Sequence, residues 1–382
     1  ERWQIFKRHV LAMREISGEA IWNDSLIDFG FNPPPVWNII PGAITRDLEL
    51  NSNSLLLVAL IDPALILVGF SFVAWAFGLE IGCFAVCFFG IFFPSRFFWN
   101  GGAFMRLDWL ARLLVGVSLL KRGFAATSGF FLACSGLLRL FPFAFLVFPI
   151  ARGITDLVRR QRVDHSLLRL CLGAAVAFAL LIPLGARSMG GFSAYREFLD
   201  NTAKHLSSPF INNIGLASLM SFRPRPDFSP DLAHADLTEK IAAYNEMRRA
   251  AFSTVRPLFV AAVLGFFALA LWCLRHEHRV WVLAIFGFTL VPIGANLACY
   301  YYSFLVAATL LLREAPRIVS LLFFVAVVSQ ALALGTSSTE LLFAAISLVV
   351  LYFVVESLLA YRPRSLNDTP KASAREMAHR RS

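Results

Sequence analysis

Apolar residues recur along this chain in runs of membrane-span length separated by short polar stretches, rather than in one block. Measured against the roughly 20 residues needed to cross a hydrocarbon core, candidate spans fall at 54–78, 79–94, 103–120, 166–186, 256–274, 280–296, 298–312, 318–335 and 340–361. A further apolar stretch, 124–150, is split by Arg139 and Pro142 into two short halves. Proline disrupts a helix, and a charged residue at mid-bilayer costs about 2.5–3.5 kcal/mol on insertion scales. This stretch is therefore predicted to form two short helices or a re-entrant hairpin, with Arg139 buried and paired rather than facing lipid. The fold class expected is all-α, a polytopic transmembrane bundle of about 9–11 membrane helices with one broken hairpin.

Composition agrees. The chain is 58% hydrophobic and only 16% charged, where a soluble protein carries roughly 25% charged residues. A net charge of +10 raises the question of a nucleic-acid partner, but the basic residues lie between and after the apolar runs, where the positive-inside rule puts them. Lys121-Arg122, the run from Arg152 to Arg169, Arg275 to Arg279, Arg313 to Arg317 and the tail from Arg362 to Arg381 define one side, expected to be cytoplasmic. Loops 17–53, 95–102 and 187–255 are then extracytoplasmic. The expected organisation is an interfacial amphipathic helix at 1–16, a transmembrane domain at 17–361 and a basic tail at 362–382. The register puts the N-terminus outside, and with Glu1 rather than Met at the first position, a further span upstream is expected. Cys83, Cys87, Cys134, Cys171, Cys273 and Cys299 lie in or beside apolar runs without metal-site spacing and are read as packing residues.

Candidate chemistry gathers in the external loops. Asn23-Asp24-Ser-Leu-Ile-Asp28 precedes a rigid proline turn, Pro33-Pro34-Pro35. Pro94-Ser-Arg96 and Met105-Arg106-Leu-Asp108-Trp109 bring two arginines, a carboxylate and aromatics to the outer end of the third span. Arginines at a membrane boundary can hold a phosphate bidentately. In the longest loop, Asn201, His205 and Asn213 could line a polar pocket for a hydroxyl-rich ligand, or simply solvate the loop.

Phe29-Gly-Phe-Asn-Pro-Pro-Pro-Val-Trp37, followed by Pro41, resembles the proline segment after the first external loop in the GT-C superfamily of lipid-linked glycosyltransferases. The likeness is to the family-87 type, which includes polyprenol-phosphate-mannose-dependent mannosyltransferases. Ser128-Gly-Phe-Phe-Leu-Ala-Cys-Ser-Gly-Leu-Leu-Arg139-Leu-Phe-Pro142 is similar to a downstream element of that family, with Arg where Lys is common. Phe198 to Asn213 and Cys299-Tyr300-Tyr301-Tyr302 resemble two more.

The resemblance implies a GT-C-like bundle that moves a sugar from a polyprenyl-phosphate donor to an acceptor hydroxyl at the extracytoplasmic face. By the same resemblance, Asp24 or Asp28 is the catalytic base, and Arg96, Arg106 and Arg139 stabilise the donor phosphate. Asp108, Asn201, His205, Asn213 and Tyr301 contact substrate. No cofactor is required, and nothing demands a divalent metal. Expected partners are the polyprenyl-phosphate-linked sugar, membrane lipid and other membrane proteins, with no nucleic acid, in a bacterial inner membrane. Two other classes stay open. Asp62, Arg139 and Glu356 within apolar runs, beside proline-broken helices, also mark transporters or flippases, although the apolar pattern shows no internal repeat. A non-catalytic scaffold subunit with a glycosyltransferase-like fold is the third.

Overall fold

Lipid offers nothing to hydrogen-bond a free backbone N–H or C=O, so an apolar chain of this pattern must satisfy its backbone internally, as helices. The computed structural model describes residues 2–19, 22, 33–96, 103–160, 164–206, 210–223 and 237–361. The helices are α1 (Arg2–Ser17), α2 (Ile39–Thr45), α3 (Ser52–Ala59), α4 (Ile61–Phe77), α5 (Leu79–Ile91), α6 (Asp108–Lys121), α7 (Ala125–Leu138) and α8 (Ala144–Arg160). They continue as α9 (His165–Ser188), α10 (Ser193–Leu206), α11 (Leu216–Met220), α12 (Leu237–Leu274), α13 (Val280–Phe286), α14 (Val291–Gly294), α15 (Pro316–Gly335) and α16 (Thr339–Ala360). Two short strands, β1 (Asn213–Ile214) and β2 (Leu297–Ala298), pair antiparallel.

The chain is an all-α polytopic bundle. Among the described residues, six helical stretches are long and apolar enough to cross a membrane, against nine candidate spans expected: Ser52–Phe77, Phe141–Arg159, His165–Ser188, Ala243–Leu274, Pro316–Gly335 and Thr339–Ala360. Shorter apolar helices at Leu79–Ile91, Ala125–Leu138, Val280–Gly294 and Cys299–Leu311 complete it. The last is a 3₁₀-helix of 13 residues. At about 2.0 Å per residue it reaches further than an α-helix of equal length would, and Tyr302 to Leu311 are buried throughout.

The sequence reading needs three corrections of detail. The second half of the broken hairpin does not stop near 150: α8 runs on to Arg160 although Pro149 lies inside it. Arg152 turns inward to pair with Asp156 at 2.8 Å and to donate to the Arg275 carbonyl at 2.7 Å, while Ile150, Ile154 and Leu157 stay exposed as a lipid-facing surface requires. The segment 237–255, expected within the loop 187–255, is helical, because α12 begins at Leu237 and has 38 residues. Nor is 280–296 one helix, since a 3₁₀ turn at Gly287–Thr289 separates α13 from α14. Over the segment expected to form the amphipathic helix, α1 covers Arg2–Ser17, with Trp3 and Phe6 stacked at 5.5 Å. The tail 362–382 lies outside the described residues. Of the six cysteines, all free, Cys134, Cys273 and Cys299 are buried packing residues, whereas Cys83, Cys87 and Cys171 are exposed.

Helix α7 packs between α6 and α9. Ser128 Oγ donates to the Gly116 carbonyl and Ser135 Oγ to the Trp109 carbonyl, both at 2.7 Å, which fixes α7 antiparallel to α6. Against α9 the contact is backbone to backbone. A methyl group on Gly129 would lie 1.9 Å from the Leu170 oxygen, and one on Gly173 would lie 1.7 Å from the Ala126 oxygen. Such approach is the membrane solution to packing without a hydrophobic driving force.

Of the basic clusters expected on one side, those at Lys121, Arg152, Arg275–Arg279 and Arg313–Arg317 meet at one end of the bundle. Glu314 pairs with Lys121 (3.5 Å) and Arg279 (3.3 Å), and Lys121 lies over the Trp281 ring at 3.8 Å. Arg279 also binds Glu277 at 2.9 Å, and the Tyr361 hydroxyl donates to the same carboxylate. Arg313 approaches Glu80 at 3.5 Å, and Arg317 meets Glu356 at 3.2 Å. Burial alone would raise the Glu277 carboxyl, but hydrogen bonds from Arg279 and Tyr361 prevail and hold it down at about 2.

Two outcomes follow. On a cysteine-free background, single cysteines at Met189 and at Arg275 should label from opposite sides of sealed vesicles, and labelling of both from one side would overturn this end-to-end arrangement. Gly129→Ala and Gly173→Ala should each destabilise by about 1–3 kcal/mol or more, the range for overpacking. Gly90→Ala, where an added methyl meets nothing within 4 Å, should not lower the thermal midpoint.

Candidate functional site

At the end of the bundle opposite the ion pairs, the short elements stop and enclose a cavity of about 680 Å³, within the usual range for small-molecule sites. Its first cation comes from the turn before α6. Met105 there has φ +49°, a left-handed conformation that a non-glycine side chain holds only at a cost of about 1–3 kcal/mol. The turn is pinned on both sides. Trp37 Nε1 donates to the Met105 carbonyl at 3.1 Å, and one oxygen of buried Asp62 accepts the N–H groups of Arg106 (2.6 Å) and Leu107 (3.0 Å). Arg106 then reaches the cavity with its guanidinium 4.6 Å above the Tyr300 ring.

The second cation, Arg139, sits where α7 ends. Pro142 lies three residues on, inside a 3₁₀ turn at Phe141–Phe143, so the chain reverses there and Arg139 is left at the apex. Its Nη1 donates to the Leu138 carbonyl at 2.8 Å, and its side chain lines the cavity rather than lipid. The Nε atoms of Arg106 and Arg139 are buried with no hydrogen-bond partner among the described residues. Phe141 and Tyr301, 5.4 Å apart between ring centres, close the floor beside them.

The facing wall is made of amides. Asn212, Asn213, Asn245 and Asn296 all line it. Asn213 Nδ2 donates to Asn296 Oδ1 at 2.6 Å across the β1–β2 pair, while Asn213 Oδ1 and Asn245 Oδ1 are buried without a partner among the described residues. Arg248 on α12 holds this wall from behind. It is buried and donates to Phe210 O (2.7 Å), Ser218 O (3.2 Å), Ser218 Oγ (3.1 Å) and Ser221 Oγ (3.3 Å). Ser218 Oγ in turn donates to the Asn213 carbonyl at 2.7 Å. The wall turns at Gly215, where φ is +112° and an added methyl would lie 2.5 Å from the Pro292 oxygen. Only glycine fits there.

Of the residues singled out from sequence, Arg106, Arg139, Asn213 and Tyr301 meet in this cavity, joined by Pro33 and Pro34 of the proline turn. Asp108 does not line it. As the first residue of α6, Asp108 turns its carboxylate onto the N–H of Trp109 (2.8 Å) and onto Arg112 (3.3 Å), and it is fully buried. Arg96 lies over the Phe93 ring at 4.4 Å and is also outside the lining. Asn201 is half-buried on α10, whose cavity face is Phe198 and Thr202 instead. Asp24 and Asp28 lie outside the described residues, as does the side chain of His205. Glu356 belongs to the ion-paired end and Asp62 to the turn, so of the three intramembrane charges only Arg139 lines the cavity.

Sequence reasoning missed Asn245, Asn296 and Arg248. Asn245 and Arg248 sit in a segment read as loop, although their spacing of three puts them on neighbouring positions of one helix face. Asn296 is a polar residue closing an apolar run, a signal that was present. Among the described residues that line the cavity there is no carboxylate, and no group of three or more His, Cys, Asp or Glu is placed to hold a metal among the described residues.

Arg248→Met should leave several buried acceptors of the wall unpaired, at about 1–3 kcal/mol each, and lower the thermal midpoint by several degrees. An unchanged midpoint would show that the wall stands without it. No family model, no curated protein and no solved structure matches this chain, so what the cavity binds has to be read from its own residues.

Proposed function

We propose that this protein is a membrane glycosyltransferase that takes a sugar from a polyprenyl-phosphate donor and passes it to an acceptor hydroxyl at the extracytoplasmic face. The observation that carries the reading is the pair of guanidinium groups, Arg106 and Arg139, presented to an aromatic and amide-lined cavity with donor capacity to spare. A phosphate ester that bears a sugar at one end and a prenyl chain at the other has matching parts. The guanidinium groups suit the phosphate, the four asparagines suit sugar hydroxyls, and Leu140, Phe141 and Phe198 suit the first prenyl carbons.

In the proposed step the acceptor oxygen attacks the anomeric carbon from the face opposite the phosphate and forms the new glycosidic bond. The bond from that carbon to the phosphate oxygen breaks, and the electron pair leaves with the polyprenyl phosphate. The acceptor proton passes to a carboxylate, for which Asp24 and Asp28 remain the candidates. Arg106 and Arg139 offset the charge that gathers on the leaving phosphate, the kind of preorganised stabilisation that dominates many catalysed reactions. The lack of a carboxylate among the described lining residues favours, as a second reading, a scaffold subunit that binds such a lipid without transferring its sugar.

Reconstituted in proteoliposomes with polyprenyl-phosphate mannose and methyl mannoside, Arg106→Ala and Arg139→Ala should each lower turnover by about 10²- to 10³-fold. Unchanged turnover in both would remove the proposed phosphate site. Binding of the donor with no transfer would move the assignment to the scaffold reading.

A further inference from the structure

Asp62 is the least expected carboxylate in the chain. It is 4% exposed, lies in the apolar stretch Ser52–Phe77, and touches the cavity nowhere. One of its oxygens accepts two N–H groups, from Arg106 at 2.6 Å and Leu107 at 3.0 Å, and the other is buried with no partner among the described residues. A buried carboxylate with half its capacity unused is costly to keep.

Helix stability does not account for it. The start of α6 is already served by its own Asp108, which accepts from the Trp109 N–H, and the Leu107 carbonyl accepts from Leu110 and Ala111. Asp62 binds upstream of that helix, at the turn itself. The same turn carries the left-handed Met105 and takes a second clamp from Trp37 Nε1 on its carbonyl. Three hydrogen bonds and one strained residue thus converge on a segment whose only side chain in the cavity is Arg106. Strain of this kind persists where the surroundings over-determine a conformation, and here what they determine is the direction in which Arg106 leaves the backbone, over the Tyr300 ring.

We propose that Asp62 is a positioning residue for anion binding: by accepting the Arg106 and Leu107 N–H groups it aims the Arg106 guanidinium at a phosphate-bearing ligand in the cavity. This rests on the reading of Arg106 as an anion-binding group. Asp62 acts through Arg106 and not on the ligand, so its effect on binding vanishes when Arg106 is absent.

The test is a double-mutant comparison on the whole protein in lipid nanodiscs, with farnesyl phosphate as probe and its dissociation constant as readout. Asp62→Ala should weaken binding by about 10-fold or more, since small misplacements of a positioned group have large effects. In an Arg106→Ala background the same change should weaken it by less than about 2-fold. Asp62→Asn keeps an oxygen that accepts both N–H groups and should recover most of the affinity. If Asp62→Ala does not fold, Trp37→Phe removes the other clamp alone and should show the same dependence on Arg106. Equal weakening in both backgrounds, or none in either, overturns the proposal. Arg106→Ala that binds farnesyl phosphate as well as the unaltered protein is a different outcome, and it sinks the reading of Arg106 itself.

Discussion

The structure depends on a mismatch of lengths. A 14-residue α-helix such as α6 or α7 spans about 21 Å at 1.5 Å per residue, against a hydrocarbon core of about 30 Å. Helix α6, tied at its Lys121 end to Glu314, stops short of the other surface. Its exposed terminal groups must then be met by protein or water, because lipid cannot meet them. Arg106 before α6, Arg139 after α7, Asn296 after α14 and Tyr300 and Tyr301 at the start of the long 3₁₀-helix all line the cavity. Longer helices such as α9 and α12 carry the exposed apolar surface outside.

Holding short helices in that arrangement takes close packing where the bilayer gives no hydrophobic drive. The Gly129 and Gly173 contacts bring α7 and α9 together at backbone distance, and serine bonds lock α7 to α6. The two ends of the bundle then have different electrostatics. At one, cations and carboxylates neutralise each other in a network. At the other, Arg106 and Arg139 face the cavity, while Asp62 accepts backbone N–H groups and Asp108 turns to the Trp109 N–H and Arg112. An anion is the ligand that this imbalance favours.

The helical membrane bundle and the hairpin break were legible because each rests on one strong local signal: the length of the apolar runs for the helices, and Arg139 followed by Pro142 for the break. Arg106, Arg139, Asn213 and Tyr301 were legible for a related reason, since polar or aromatic residues at the ends of apolar runs have few other places to go. That Asp108 does not line the cavity was not legible, because sequence does not show whether a carboxylate at a helix start turns outward or folds back onto its own first turn. Asn245 and Arg248 were hidden by the mixed polarity of the first turns of α12, where long-range partners at Phe210 and Ser218, not local pattern, keep the helix going. The role of Asp62 needs a contact across 44 positions, which no local pattern encodes.

A coherent chemistry follows if the cavity holds a phosphate between the two arginines. Strained Met105, the two clamps on its turn and the reversal at Pro142 all bear on where those guanidinium groups point. The most direct measurement is an experimental structure of the protein in nanodiscs with farnesyl phosphate bound. The account predicts phosphate oxygens within about 2.7–3.2 Å of nitrogens from both Arg106 and Arg139, with the prenyl chain leaving past Leu140 and Phe141. Phosphate bound at the ion-paired end, or a cavity filled while both guanidinium groups turn away from the ligand, would contradict it.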